Sequence, residues 1–559
     1  MAASRATGAT RLVDALVAAG VRRIFSLSGN QILSVYDATI GRDIALVHTR
    51  HEAAAVHMAD AWGRLTDEPG VALVTAGPGH LNALSALYGA RMADSPMLLL
   101  SGASPRSQRG LGAFQEVDQV AAARPVVKAA WSLDDPGRIG DDVARALALA
   151  ISGRPGPVHL SLPGDVLEGA APDVTPPSPA VAGPVAVGER DALAIVALLA
   201  EAKRPLILTG PALGRGRRRV SVQQLSEVTG APALAIESPR GVNDPWLRGA
   251  TALLGEADLV LLLGKPLDFS LRFGQAFARG CRIVALDPDV DADHRRWGSV
   301  GGERRSLPPD TNKSAAPGER TALALAADPA ASAARLAAVA ATHEWPRTGW
   351  RDEVESVRRA VPAAWEQARR SARAPIHPLR VCAALAPPVE AGAVLVVDGG
   401  EFGQWVQAGL EPRERLINGL GGSIGSALPM AIAARLACPD RPVLAVMGDG
   451  TFGFHAFELD TALRYDVPIV TVVGNDARWN AEHTLQLRHY GAERAVGCAL
   501  LPARYDRVAE ALGGHGELVE RAEDLGPALA RALASGRPAV VNVMIEGLPA
   551  PTFGDSSGH

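Results

Sequence analysis

The chain holds only four cysteines in 559 residues, Cys281, Cys382, Cys438 and Cys498. They are scattered, and none forms a CxxC pair or another zinc-ligand spacing, which argues against a disulfide framework or a structural zinc site and fits a reducing, cytoplasmic setting. Long hydrophobic runs are missing too: no stretch reaches the roughly 20 apolar residues that would span a bilayer. The N-terminal "MAASRATGATRLVDALVAAGV" has no apolar run of its own, so the expectation is a protein neither secreted nor membrane-spanning. An excess of charge of one sign is also lacking. With 56 basic and 60 acidic residues and a net charge of −4, the chain supplies no general basic stripe for nucleic acid.

What is present is apolar mass, 47% of residues against 21% charged, enough for extensive cores without cross-links. A chain this long exceeds one core and suggests about three domains. Short β-rich runs alternate with Ala-rich helical stretches almost throughout, the pattern of α/β domains with mostly parallel sheets. Two seams interrupt it. The Pro- and Gly-crowded "APDVTPPSPAVAGPVAVGE" (171–189) reads as a linker, and the alternation restarts with "AVLVVDGGEFGQW" after "RRSARAPIHPLR" (369–380). The expected division is 1–170, a linker 171–189, a central unit 190–345, a helical linker 346–380 and a final unit 381–559. In the middle, "RPLILTG", "ADLVLLLG" and "CRIVALD" are apolar strands ending in Gly or Asp, as in an open doubly wound sheet.

The stretch "VLAVMGDGTFGFHAFELDTALRYDVPIVTVVGNDARWNAEH" sets Asp449 in a glycine turn after one buried strand and Asp476 just after the next. Successive strands of a parallel sheet end on one edge, so the two carboxylates can meet where such sheets bind ligands. Two carboxylates with a backbone carbonyl are hard oxygen ligands, and a helix N-terminus beside them suits phosphate oxygens. Together they suggest a magnesium-bridged diphosphate. Alone, the GDG could equally be a simple turn and Asp476 a helix cap.

The wider stretch resembles the thiamine-diphosphate motif, in which GDG is followed by an Asn-Asn or Asn-Asp pair, here Asn475 and Asp476. The resemblance implies that Asp449, Asp476 and the main-chain carbonyl of Arg478 hold Mg2+, with Gly450 and Thr451 near the diphosphate. Many relatives have Asn where this chain has Asp476, so Asn475 is the alternative ligand. "INGLGGSIGSALPMAIAA" is, on its own, a glycine turn packed tightly into a helix. By resemblance it cradles the aminopyrimidine: the Gly422 carbonyl accepts from the 4'-amino group, and Ile424 is the apolar wedge that bends the cofactor. Bending places that nitrogen beside the thiazolium C2 proton, which makes the base intramolecular. In "VHTRHEAAAVHMADAWGR", Glu52 opens an expected amphipathic helix and alone would pass for a dipole-matching first-turn residue. The matching glutamate of the family bonds the pyrimidine ring nitrogen, and "TAGPGHLNAL" (75–84) follows at the family position.

The resemblance runs from end to end, in the order pyrimidine-binding, central and diphosphate-binding domains, each a doubly wound parallel α/β unit. It is to the acetolactate synthase-like superfamily, which also holds benzaldehyde lyase, pyruvate and oxalyl-CoA decarboxylases and 2-hydroxyacyl-CoA lyases. In that family the N-terminal domain of one subunit faces the C-terminal domain of another across the cofactor, which implies a homodimer at least and a homotetramer as the expected assembly.

Two stretches should line the substrate pocket, "LGAFQEVDQ" (111–119) and "RWNAEHTLQL" (478–487), with Gln31, Phe114, Gln115 and Trp479 as lining residues. Phe114 and Gln115 stand where pyruvate decarboxylases carry a histidine pair, which argues against simple pyruvate decarboxylation. Acetolactate synthases usually have an apolar residue at the position of Glu482, whereas decarboxylases of pyruvate and indolepyruvate have a glutamate there; a carboxylate suits a lyase that must deprotonate the hydroxyl of a 2-hydroxyacyl group, and alone it would pass for a solvated helix-surface charge. His483 beside it is a second candidate. "GRGRRRVSV" offers Arg215, Arg217, Arg218 and Arg219 to a CoA thioester, or is a solvated charge run. Some branches bind ADP or FAD in the central domain, yet "TGPALGRG" (209–216) lacks a full dinucleotide fingerprint. The expectation is a thiamine-diphosphate and Mg2+ dependent lyase or carboligase acting on a 2-hydroxyacyl-CoA. An acetolactate synthase-like carboligase of 2-oxo acids and a non-catalytic cofactor-binding relative are the alternatives. The final "EGLPAPTFGDSSGH" (546–559) could close over the pocket or stay free.

Overall fold

The computed structural model describes residues 6–553 except positions 173, 182, 290–319 and 347. Three all-parallel sheets follow one another along the chain. The first has the order β2 (Ala45–His48), β1 (Arg23–Ser26), β3 (Gly70–Val74), β4 (Met97–Ala103), β6 (Pro157–Pro163), β5 (Ala129–Ser132). The second runs β11 (Thr321–Leu325), β10 (Arg282–Leu286), β9 (Leu259–Leu263), β7 (Pro205–Thr209), β8 (Ala233–Ala235). The third runs β13 (Arg415–Ile417), β12 (Val394–Val397), β14 (Val443–Gly448), β15 (Val470–Asn475), β17 (Ala539–Met544), β16 (His515–Val519). Central strands such as β9, "LVLLL", are buried at every position because helices cover both faces. This is the α/β, doubly wound, parallel architecture that the strand and helix alternation predicts.

In each sheet the first two strands run outward to one side and the third returns to the other. The reversal leaves a crevice at the carboxyl ends, between β1 and β3, between β7 and β9, and between β12 and β14. These three places are where the fold offers room for ligands.

The first and third sheets belong to one packed body. The helix Glu52–Thr66 lies against the helix Ala427–Ala437, and the alanines of both enter a single apolar cluster with Val74, Leu99, Ala445 and Met447. Small side chains let the helix backbones approach, and larger neighbours such as Phe25 and Phe452 fill the remaining volume. At the end of the Glu52 helix, Arg64 forms a buried ion pair with Asp60, Nε to Oδ1 at 2.7 Å, and donates from Nη1 to the Ile417 carbonyl at 2.6 Å. The expected amphipathic character of this helix is therefore corrected: residues Glu52–Ala61 are buried on every side, because a second domain covers the face that would otherwise meet water. Among the described residues no helix is long and apolar enough to cross a membrane.

His80 and His159 form a buried pair inside the N-terminal sheet layer, ring centroids 4.6 Å apart. Burial pushes His80 down to about 4, and burial together with His80 pushes His159 well below its usual range. Both are neutral when folded, whereas the unfolded chain takes up protons near pH 6.5. Their share of stability is thus present above pH 6.5 and lost as pH falls toward 4, up to about 3 kcal/mol for His80. Melting curves between pH 7 and 4 should fall less steeply for His159→Leu than for the unsubstituted protein; parallel curves would show that the pair does not set acid sensitivity.

Candidate active site

At the C-terminal crevice the strand ends supply three carboxylates. Asp398 follows β12, Asp449 follows β14 and Asp476 follows β15, and pairing of Gly448 with Gly474 brings the last two ends side by side. Asp398 is fully buried and accepts from the amides of Gly399 (2.8 Å), Gly425 (3.0 Å) and Ala427 (2.8 Å). Burial pushes it up to about 6, against the pull of those amides. Its bonds fix the turn that holds Gly422, in a left-handed conformation at φ +66°, and Ile424. A Cβ on Gly399 would stand 3.0 Å from Ile424 Cγ2, so the glycine is what lets the turn lie close.

Asp449 opens the helix Asp449–His455; its Oδ1 accepts from the Gly450 amide at 3.0 Å, while Oδ2 is buried without a partner. Burial raises Asp449 to about 6. Burial and then repulsion from Asp449 raise Asp476 to about 7. Two desolvated like charges with an orphan oxygen are the environment that a divalent cation relieves. Among the described residues no three His, Cys, Asp or Glu side chains gather as a metal site, so the pair would need a main-chain carbonyl, such as that of Arg478, to complete one. The residues present fit Mg2+ on those terms. Asn475 is committed elsewhere: its Nδ2 donates to the Ala503 carbonyl and to Asn542 Oδ1, and its Oδ1 accepts from the Ala477 amide. Thr451 is turned back onto the Gly448 carbonyl at 3.0 Å. Trp479 packs over Gly450, where a Cβ would come within 2.7 Å of the indole, and meets Phe454 edge-on at 6.2 Å.

The N-terminal crevice gathers a second set. Thr75 donates to Gln31 Oε1 at 2.6 Å and Gln31 Nε2 donates to Gln115 Oε1 at 2.9 Å, so the two predicted pocket glutamines are joined. Gln115 has φ +61°, uncommon for a residue with a Cβ, beside Gly77 at φ +55°. Gln119 holds this turn by accepting from the Gly77 amide and donating to the Gly102 carbonyl. Glu52 is buried, with Oε2 accepting from Asn82 Nδ2 at 3.1 Å and Oε1 3.2 Å from the place a Cβ on Gly79 would occupy. Phe114 stands exposed at the rim.

Within one chain no hydrogen bond or ion pair among the described residues joins the Glu52 set to the Asp449 set. Their helices meet instead through imidazoles, His51 and His57 lying 5.6 and 5.7 Å from His455. Glu482 lies exposed in the first turn of the helix Asn480–Tyr490 with no hydrogen bond among the described residues, and His483 is half-buried beside it. Neither has a hydrogen bond or ion pair to Gln115 or Glu52 among the described residues. Residues 546–553 are tied down: Asn480 Nδ2 donates to the Leu548 carbonyl at 3.0 Å, the Ala550 amide donates to Glu401, and Phe553 meets Trp365 edge-on. Residues 554–559 of the expected lid lie outside the described residues.

Asp398, Thr75, Asn82 and Gln119 escaped the sequence reading. An aspartate closing "VLVVD" was a usable signal, since it has the same strand-end position as Asp449. Thr75 and Asn82 lie in the quoted "TAGPGHLNAL" and Gln119 closes "LGAFQEVDQ", but what each of them bonds becomes visible only through contacts between distant segments.

The central crevice differs from the other two. A Cβ on Gly210 would fall 2.2 Å from the Gly264 carbonyl oxygen, and the cavity left there is about 10 Å3. The buried Lys265 is paired with Asp268 at 2.9 Å, and Arg154 bridges Asp94 (3.0 Å) and Asp287 (3.7 Å).

Comparison with known proteins matches the first and last parts of the chain to one family. Residues 6–122 match the N-terminal TPP binding domain of thiamine pyrophosphate enzymes, and residues 398–543 match their C-terminal TPP binding domain. A probable acetolactate synthase of Mycobacterium bovis is 35% identical over 545 residues, covering 95% of this chain and 94% of the relative. 2-Hydroxyacyl-CoA lyase 2 of Bos taurus is 30% identical, covering 97% of this chain and 90% of the relative. The 2-hydroxyacyl-CoA lyase of Oryza sativa is also 30% identical, covering 100% and 98%. With two matched TPP binding domains built around the two open crevices, the chain belongs to the thiamine pyrophosphate enzymes, in the group of acetolactate synthases and 2-hydroxyacyl-CoA lyases.

Proposed function

We propose that this enzyme is a thiamine-diphosphate and Mg2+ dependent carbon–carbon lyase that cleaves a 2-hydroxyacyl-CoA to formyl-CoA and a ketone or aldehyde, and runs the same step backwards as a carboligase. The bond between the thioester carbonyl carbon and the hydroxyl-bearing carbon breaks, the hydroxyl gives up its proton, and the released formyl carbon takes one, so the reaction is redox-neutral. Bound thiamine diphosphate supplies a carbanion and an electron sink. Asp449, Asp476 and the Arg478 carbonyl would hold Mg2+ beside the helix N-terminus at Gly450 and Thr451, where the diphosphate would lie. The Gly422 carbonyl and Ile424, on the turn fixed by Asp398, would orient the pyrimidine, and Glu52 would hold a proton at its ring nitrogen.

The observation that carries the lyase reading is Glu482, an exposed carboxylate with no partner in the first turn of the helix that follows Trp479. It is free to take the hydroxyl proton and to return one to the formyl carbon, with His483 next to it and Gln115 held by Gln31 as a polar contact for substrate. A second reading, an acetolactate synthase-like carboligase of 2-oxo acids, is favoured by the 35% identity to the mycobacterial relative. The separation of the Glu52 and Asp449 sets within one chain supports a homodimer, with a homotetramer as the family-like assembly. The exposed Leu81, Phe454 and Phe457 offer apolar surface to that second copy. Four unpaired thiols suit a reducing, cytoplasmic compartment.

Purified protein with thiamine diphosphate and Mg2+, given 2-hydroxyisobutyryl-CoA and pyruvate in separate reactions, should yield formyl-CoA and acetone from the first. Acetolactate and carbon dioxide from pyruvate, with the thioester untouched, would replace this reading by the second. Glu52→Gln should slow hydrogen–deuterium exchange at C2 of the bound cofactor by roughly 10²- to 10⁴-fold while leaving the melting midpoint in place. Exchange at the original rate would remove Glu52 from its role. Asp449→Ala should weaken Mg2+-dependent cofactor binding by at least about ten-fold in calorimetric titration, and unchanged affinity would move the metal elsewhere.

A further inference from the structure

A cavity of some size lies away from both open crevices. It encloses about 540 Å3 where three units meet: the edge strand β8 and the helix Arg218–Thr229 of the central unit, the segment 411–419 entering the C-terminal sheet, and Arg64 with Ala93 from the N-terminal unit. The helix Trp350–Arg359 forms a further wall. That volume suits a small metabolite.

Arginines outnumber carboxylates on its walls. Some are spent locally. Arg64 is committed to Asp60 and the Ile417 carbonyl. Arg358 reaches Glu355 and Glu411 at 3.3 Å. Others are left over. Arg215 donates only to main-chain carbonyls, Ala93 at 2.8 Å and Asp94 at 3.2 Å, and poor solvation followed by the nearby Arg64 pushes it down to about 10. Arg219 and Arg413 form no ion pair among the described residues, and the half-buried Glu414 is the one carboxylate of the wall whose charge is felt by both Arg215 and Arg219. Arg415 lies 4.3 Å over Trp246 and reaches Glu237 only at 3.4 Å, and its Nη1 is buried with no acceptor. A buried guanidinium donor without an acceptor is costly, and planar guanidinium groups pair best with phosphate or carboxylate oxygens.

We propose that this cavity is a binding site for a small polyanion, a phosphate ester or a multivalent carboxylate, held by Arg215, Arg219, Arg413 and the free Nη1 of Arg415. The site shares the turn after β7 with the central crevice and extends from there to the outer side of β8; it does not depend on which substrate the enzyme cleaves. It lies behind the cofactor turn: Gly419, which lines it, belongs to the same glycine run as Gly422 and Ile424.

The test uses the full chain loaded with thiamine diphosphate and Mg2+, so that the diphosphate position is already filled. Inorganic phosphate and tricarballylate are titrated separately by calorimetry at constant ionic strength. One saturable site is expected, and its affinity should fall at least about ten-fold in R219A/R413A. Both substituted side chains are exposed, so the variant should keep its melting midpoint. Preference for phosphate would identify the ligand as a phosphate ester, and preference for tricarballylate as a multivalent carboxylate. No saturable uptake of either anion, or equal affinity in the variant, would overturn the proposal.

Discussion

Parallel pairing is the constraint on which this molecule depends. Because every strand of a sheet ends on the same edge, residues far apart in sequence arrive together only if each stands one step beyond its strand. Asp398, Asp449 and Asp476 do so in the third sheet. Thr75 does so beyond β3 in the first, where it meets Gln31 from the loop after β1. The middle sheet obeys the same rule with a different outcome: the glycine after β7 and the glycine after β9 close on each other, and ion pairs fill what is left. One topology thus yields two polar crevices and one sealed one, and the difference rests on a few side chains at the strand ends.

The carboxylates at the C-terminal crevice show how such a site is held in tension. Burial disfavours the charge on each, raising Asp398 and Asp449 to about 6 and Asp476 to about 7. Asp398 is compensated by three amides and so acts as a fixed post for the Ile424 turn. Asp449 and Asp476 are not compensated to that degree and repel one another. The difference separates a carboxylate that shapes the site from a pair suited to hold a cation.

Much of this was legible in the sequence. The three α/β units follow from apolar runs punctuated by Gly and Asp, and the placement of Asp449 and Asp476 at adjoining strand ends follows from the spacing of two such runs. Asn475 shows a limit of reading by motif: the sequence kept it as the alternative to Asp476, whereas its hydrogen bonds to Ala503 and Asn542 tie it into the sheet. The Glu52 helix shows another, because helical periodicity reports one buried face and says nothing of a second domain covering the other. Gln119 and Asn82 lie in stretches that the sequence singled out, but their roles exist only through contacts between distant segments. The central crevice was left open by composition, and only the approach of two backbones closes it.

The apolar cluster shared by the Glu52–Thr66 and Ala427–Ala437 helices has a consequence for how the chain comes to be folded. The N-terminal sheet is made early during synthesis, but one face of its helix layer has no partner until residues beyond 427 have left the ribosome. Until then that alanine-rich face stays wet, and the central unit, with a core of its own, is free to fold in the interval. Folding of the first third is therefore completed by the last, and a nascent chain halted before residue 427 would be a natural client for a chaperone that shields apolar surface.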